Sequence, residues 1–189
     1  MSSELIDELL DDAKGRMAKS VEATKTEFGT VRTGRASPSL LDRVTVDYYG
    51  AQTPLKQLAN MSAPEARMLT VTPYDKSSIK AIEKAIMESD LGLTPGNDGN
   101  VIRLTIPELT EERRKDLAKV VRKIAEEGRI GVRNVRHDVQ HDLRELKSEG
   151  ELGADEEHRA EAELQKLTDQ HTSAIDAALA AKEKEILEV

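Results

Sequence analysis

Residues 110–148 read TEERRKDLAKVVRKIAEEGRIGVRNVRHDVQHDLRELKS, and the spacing of their apolar side chains decides the architecture. Leu117, Val120, Val121, Ile124, Gly128, Val132, Val135, Val139, Leu143 and Leu146 form a seam at near-heptad spacing. Thr110 is a good N-cap, and Glu111 and Glu112 follow where the helix dipole favours acids. The pattern predicts one helix of about 38 residues, ~57 Å long at ~1.5 Å per residue. A single apolar stripe on so long a rod must be covered by other helices.

The covering helices lie at the two ends of the chain. Over residues 4–28, Ile6, Leu9, Leu10, Ala13, Met17, Val21, Thr24 and Phe28 recur at three- and four-residue steps, with Ser3 as N-cap and Gly29 as the natural stop. Ser148 to Gly153 breaks the chain again. Asp155 then caps a third long helix, with Leu164, Leu167, His171, Ala174, Ile175, Ala178, Leu179 and Ile186 facing inward. Three one-stripe helices pack as a three-helix bundle, here from residues 1–29 and 108–189.

Residues 30–107 change character. Val44, Val46 and Tyr48 alternate with Thr45, Asp47 and Tyr49, which predicts a strand; Gly50 turns the chain, and Gln52–Leu55 can return as a second strand. Ser62 to Glu65 and Thr72 to Asp75 both have capping-box spacing. The first predicts a short helical turn. The second predicts a helix through about Ser89 with Ile79, Ile82 and Ile86 on one face. Met68–Thr72 and Val101–Ile106 read as strands, and Leu93–Gly99 as turns. The expected fold is therefore α+β, a long three-helix bundle with an inserted small β/α/β domain. The chain crosses between them at Gly29–Thr30 and near Ile106 and Pro107, which would form a hinge.

Composition agrees and narrows the function. Among 189 residues there is no Cys or Trp, one Phe and three Tyr, so the core must be aliphatic, and neither disulfides nor thiolate metal sites are available. The acidic start differs from a signal peptide, and no window approaches the ~18 apolar residues of a membrane span. A cytoplasmic protein without membrane contact is expected. Net charge is −8, but residues 113–136 hold 9 basic and 3 acidic side chains, whereas residues 148–189 hold 4 basic and 12 acidic. A basic stripe in an acidic protein suits local contact with a nucleic acid.

Within that stripe, which includes Arg122, the run Arg129-Ile-Gly-Val-Arg133-Asn-Val-Arg136 puts three arginines on one helix face, opposite the valine seam. No acid lies among residues 128–137 to relieve their repulsion, which points to an anionic partner; arginine's planar fork suits phosphate. The competing reading is an exposed face paired to acids on the third helix. Gly131 either admits a close neighbour or is simply tolerated. His137 and His141 have the spacing of a zinc-binding pair but no third ligand is evident, so no metal site is expected. His171 reads as a satisfied boundary histidine. Gly92, Gly96 and Gly99 lack the Lys-Ser/Thr of a phosphate loop. No nucleophile–base order is present, and neither an enzyme nor a cofactor is expected. Arg32-Thr-Gly-Arg35 reads either as an ordered turn at the domain junction, built around Gly34, or as a hinge with solvated arginines.

The chain resembles the bacterial ribosome recycling factor family along its whole length. The stretches that carry the resemblance are Arg32-Thr-Gly-Arg-Ala-Ser-Pro38, Thr70-Val-Thr-Pro-Tyr-Asp75, Asn97-Asp-Gly-Asn-Val-Ile-Arg103, Pro107-Glu-Leu-Thr-Glu-Glu-Arg-Arg114 and Val132-Arg-Asn-Val-Arg136. The resemblance implies an L-shaped monomer that binds the ribosome after termination. With elongation factor G and its GTP, it would separate the subunits and release messenger and deacylated transfer RNA. It implies that Arg133 is the main RNA-binding residue, with Arg129 and Arg136 beside it on large-subunit ribosomal RNA. The small domain would face the elongation factor and the small subunit. Gly131 and His137 depart from the family pattern, where small apolar and basic residues are commoner. The rival classes are a coiled-coil adaptor, which would self-associate, and a metallohydrolase using His137 and His141.

Overall fold

The structure is a computed structural model that describes residues 2–188; the outermost residues of the expected bundle ranges, Met1 and Val189, lie outside it. The elements run α1 (Ser2–Thr30), β1 (Thr45–Tyr48), β2 (Ala51–Pro54), β3 (Ala59–Glu65), β4 (Met68–Pro73), α2 (Ile79–Met87), β5 (Pro95–Asn97), β6 (Ile102–Thr105), α3 (Glu111–Ser148) and α4 (Ala154–Leu187). The chain is α+β. It forms two compact units, one from the residues through Arg32 together with Glu112–Leu187, the other from Thr33–Glu111. No helix among the described residues is long and apolar enough to cross a membrane.

In the helical unit α3 is 38 residues long. Its buried positions are Leu117, Val121, Ala125, Val132, Val135, Val139 and Leu143. Val120, expected in the seam, is 46% exposed, because the buried row advances by fours at this end and Val120 falls beside it. From α1, Ala13, Met17, Val21, Thr24 and Phe28 are buried, and from α4, Ala160, Leu164, Thr168, Ile175 and Ile186. The three helices meet at Gly128: a Cβ there would lie 2.1 Å from Thr24 Oγ1 and 3.2 Å from Ile175 Cδ1. Thr24 donates its hydroxyl to the Ser20 carbonyl at 2.8 Å, so its burial leaves no unmet polar group. Gly131 also faces α1, with Ser20 Oγ 3.2 Å from a would-be Cβ, which answers the question the sequence left open. Polar pairs fix the register of α3 against α4: Arg122–Glu183, Arg129–Asp176, Gln140–Glu161 and Lys147–Glu157 run antiparallel.

Several helix ends differ from the sequence expectation. Gly29 does not stop α1, which runs through it to Thr30; the Thr30 hydroxyl bonds the Glu27 carbonyl instead. Ser3 lies inside α1 rather than capping it. Asp155 sits in the first turn of α4, and the cap is made by Glu156, whose Oε2 accepts the Gly153 N–H at 2.9 Å.

The second unit holds a β1–β2 hairpin and a four-stranded antiparallel sheet of order β3-β4-β6-β5. Leu69 and Val71 of β4, Ile102 and Leu104 of β6, Val46 of β1 and Ile82 and Ile86 of α2 are fully buried in one core. Ser62 to Glu65 is not a helical turn. It belongs to edge strand β3, with a register shift between those residues that accommodates Pro64, and Ser62 spends its hydroxyl on Thr70 Oγ1 at 2.7 Å. Nor does Thr72 open a helix. It lies in β4, and Asp75 caps a 3-10 turn (Lys76–Ser78) that leads into α2. The turn-rich stretch Leu93–Gly99 contains β5, three residues long and on an edge, where Pro95 needs no ladder donor.

The contacts at the glycines predict opposite outcomes for two Gly→Ala changes in the bundle. Gly128→Ala has no room for its Cβ and should destabilise by about 1–3 kcal/mol. Gly15→Ala, in open space within α1, should stabilise by about 0.5–1 kcal/mol. Urea unfolding of the two variants checks both signs.

Candidate nucleic-acid interface

Four arginines of the basic stripe, Arg122, Arg129, Arg133 and Arg136, share one face of α3, a quarter-turn from the valine seam rather than opposite it as expected, and their surroundings differ. Arg122 Nε donates to Glu183 Oε1 at 2.6 Å, and its side chain is 65% exposed. Arg129, only 20% exposed, donates from Nε to Glu126 Oε2 at 2.9 Å and from Nη1 to Asp176 Oδ1 at 2.6 Å. Arg133, 44% exposed, donates from Nη1 to Glu126 Oε1 at 3.0 Å. Among the described residues Arg136 reaches only a neutral acceptor, Gln165 Oε1, at 3.2 Å.

The arginines' mutual repulsion is therefore relieved, by acids that lie outside residues 128–137. Glu126 lies just outside that window, one turn before Arg129 and two before Arg133, a spacing that was legible in the sequence. Asp176 and Glu183 arrive from α4, and only the antiparallel packing brings them there. The relief is weak, since exposed ion pairs contribute about 0–1 kcal/mol. A phosphate, which accepts two parallel bonds from one guanidinium, competes well with such pairs. Arg129 is the most committed of the four, held by two carboxylates. Arg133 spends one nitrogen and keeps the rest of its five N–H donors.

Glu126 titrates below the ordinary glutamate range, because it accepts first from Arg129 and then from Arg133. Burial of the Arg129 guanidinium works against its charge, and the bonds to Glu126 and Asp176 outweigh that effect.

The other sequence candidates lie elsewhere. Gly34 has φ +75°, and a Cβ there would stand 2.9 Å from Leu109 Cγ, so this turn requires glycine. Thr33 is buried, Ala36 N–H bonds the Ala66 carbonyl at 2.6 Å, and Arg32 and Arg35 are exposed on either side. The turn is built around Gly34, and both of its arginines face solvent. Ile106 is buried with its N–H on the Arg67 carbonyl at 2.8 Å, and Pro107 is exposed. His137 joins no group of possible metal ligands among the described residues. His141 instead lies with Asp142 and Glu145, their donor atoms within 4.8 Å of one another at the surface. His171, half-buried, places Nδ1 2.6 Å from the Leu167 carbonyl.

The ribosome recycling factor family model matches residues 24–187. The chain belongs to the ribosome recycling factor family. It is 57% identical to the ribosome-recycling factor of Rubrobacter xylanophilus, over 99% of this chain and all of the relative. It is also 57% identical to that of Bacillus subtilis, over 96% of this chain and 98% of the relative. A solution structure of a ribosome recycling factor, 43% identical, superposes with a TM-score of 0.70 over 97% of this chain and 98% of the other. A second structure describes the T. thermophilus factor and E. coli elongation factor G bound to the E. coli post-termination complex. It is 47% identical, with a TM-score of 0.63 over 96% of this chain and 98% of that one. Family membership makes this chain a ribosome recycling and protein biosynthesis factor.

The Glu126 bridge has a pH signature. Its carboxyl resonance should titrate below the ordinary value of 4.5, so the bridge is fully formed above that pH and is lost as pH falls through the lower value. Arg129→Gln should move the midpoint back up, and Arg133→Gln should do so less; carbon-detected NMR reads each shift.

Proposed function

We propose that this protein acts with elongation factor G and GTP to dissociate post-termination ribosomes into subunits, releasing messenger and deacylated transfer RNA. The observation that carries the reading is the end-to-end similarity to ribosome recycling factors, among them one placed with elongation factor G on a post-termination ribosome. The protein works as a monomer in the cytoplasm by binding and force transmission and is not itself an enzyme; the partner hydrolyses the GTP.

In this reading the α3 arginine face anchors the helical unit on large-subunit ribosomal RNA. Arg133 leads, since it combines exposure with free donors. Arg136 and Arg122 add charge at either end of the face, and Arg129 sets the position of Glu126. The unit Thr33–Glu111 meets the elongation factor and the small subunit. Motion passes through the chain crossings around Gly29, Thr30 and Arg32, and around Ile106 and Pro107. The Arg32-Thr-Gly-Arg35 turn holds the start of the smaller unit in one conformation.

Light scattering of post-termination ribosomes mixed with this protein, elongation factor G and GTP tests the proposal. Splitting is expected, and intact ribosomes would overturn it. Arg133→Glu should weaken ribosome co-sedimentation roughly tenfold or more, because it replaces a bidentate phosphate donor with a repelling charge. Wild-type binding should weaken steeply as salt is raised, as counterion release requires.

A further inference from the structure

Glu126 gives one carboxylate oxygen to each of two arginines, at 2.9 Å to Arg129 and 3.0 Å to Arg133. Arg129 is fixed further by Asp176 at 2.6 Å. The result is a chain of contacts from α4 through Arg129 and Glu126 to Arg133. An incoming phosphate therefore meets an Arg133 whose Nη1 is bonded in one direction, with a carboxylate beside it.

Those two features act in opposite directions. Holding a long side chain in advance spares the freedom it would lose on binding, roughly two- to tenfold in affinity. A carboxylate about 6 Å from the phosphate repels it, by roughly three- to tenfold in a water-exposed setting. The effects are of similar size, so they offset one another only where a phosphate arrives in the geometry for which Arg133 is held. A flexible polyanion meets the repulsion without that benefit.

We infer that Glu126 is a positioning and selectivity residue: it orients Arg133 for a phosphate of defined position and suppresses binding to unstructured RNA. This rests on Arg133 being the RNA contact. Glu126 is ionised at neutral pH, as an ordinary glutamate is. A simple phosphate clamp would have no need of an acid within bonding distance of its arginines.

The test uses the full chain with two probes, post-termination ribosomes and a random-sequence single-stranded RNA. Glu126→Gln keeps the shape and removes the charge. It should bind the random RNA roughly three- to tenfold more tightly while binding ribosomes no more tightly. Glu126→Asp keeps the charge but withdraws its reach; it should keep the weak random-RNA binding and lose ribosome affinity. Unchanged random-RNA binding in Glu126→Gln, or ribosome affinity rising in step with it, overturns the inference. Arg133→Gln run alongside separates the two levels. If it leaves ribosome binding intact, the RNA-contact reading of Arg133 fails. If it weakens binding while Glu126→Gln alters neither probe, only the role of Glu126 fails. Melting temperatures of the variants complete the test: a purely structural Glu126 would lower the melting temperature and leave the ratio between the probes unchanged.

Discussion

The contact of Gly128 with Thr24 and Ile175 is the constraint on which the helical unit depends. It brings all three long helices together at one level, and the missing side chain on α3 is what admits Thr24. From that level outward the rotation of α3 is fixed. Val132, Val135 and Val139 turn into the bundle, so Arg129, Arg133 and Arg136 fall on the flank of α3, where Arg129 and Arg136 reach α4. Glycine is a poor helix former, and two of them within four residues weaken α3 locally. Tertiary packing compensates, since α1 covers both Gly128 and Gly131.

The same packing sets the electrostatics of the arginine face. α4 runs antiparallel to α3, and its acids meet α3's bases in order along the rods. The acidic stretch 148–189 is thus not a separate repelling surface. It is partly consumed in neutralising the basic stripe. This leaves gradations among the arginines, from Arg129, held twice, to Arg133, held once, to Arg136, bonded only to an amide. Specific RNA contact in an acidic protein depends on such gradations, because a uniformly bare basic face would bind any polyanion.

In the smaller unit the limits of local reading are clearest where one sequence signal serves two structures. Ser62 to Glu65 and Thr72 to Asp75 have the spacing of helix caps, yet both serine and threonine lie in strands. Cap spacing is a pattern of side-chain donors and acceptors, and a cross-strand hydroxyl bond such as Ser62 to Thr70 satisfies it as well. Strand β5 escaped notice because three residues carry no periodicity.

Periodicity by itself determined the helical architecture of this protein: three long rods, their inward faces, and an arginine row about a quarter-turn round α3 from its valines. Those features follow from a repeat of 3.6 residues and need no knowledge of neighbours. The family signatures were legible in the same way, since they are strings of residues. Only the tertiary structure decided which acids of α4 stand beside which arginines, that Thr24 fills the space of Gly128, and that Gly34 is pressed against Leu109. Each of these joins residues far apart in the chain, and their meeting depends on helix direction and register, which the packing of complete apolar faces sets and no local pattern encodes.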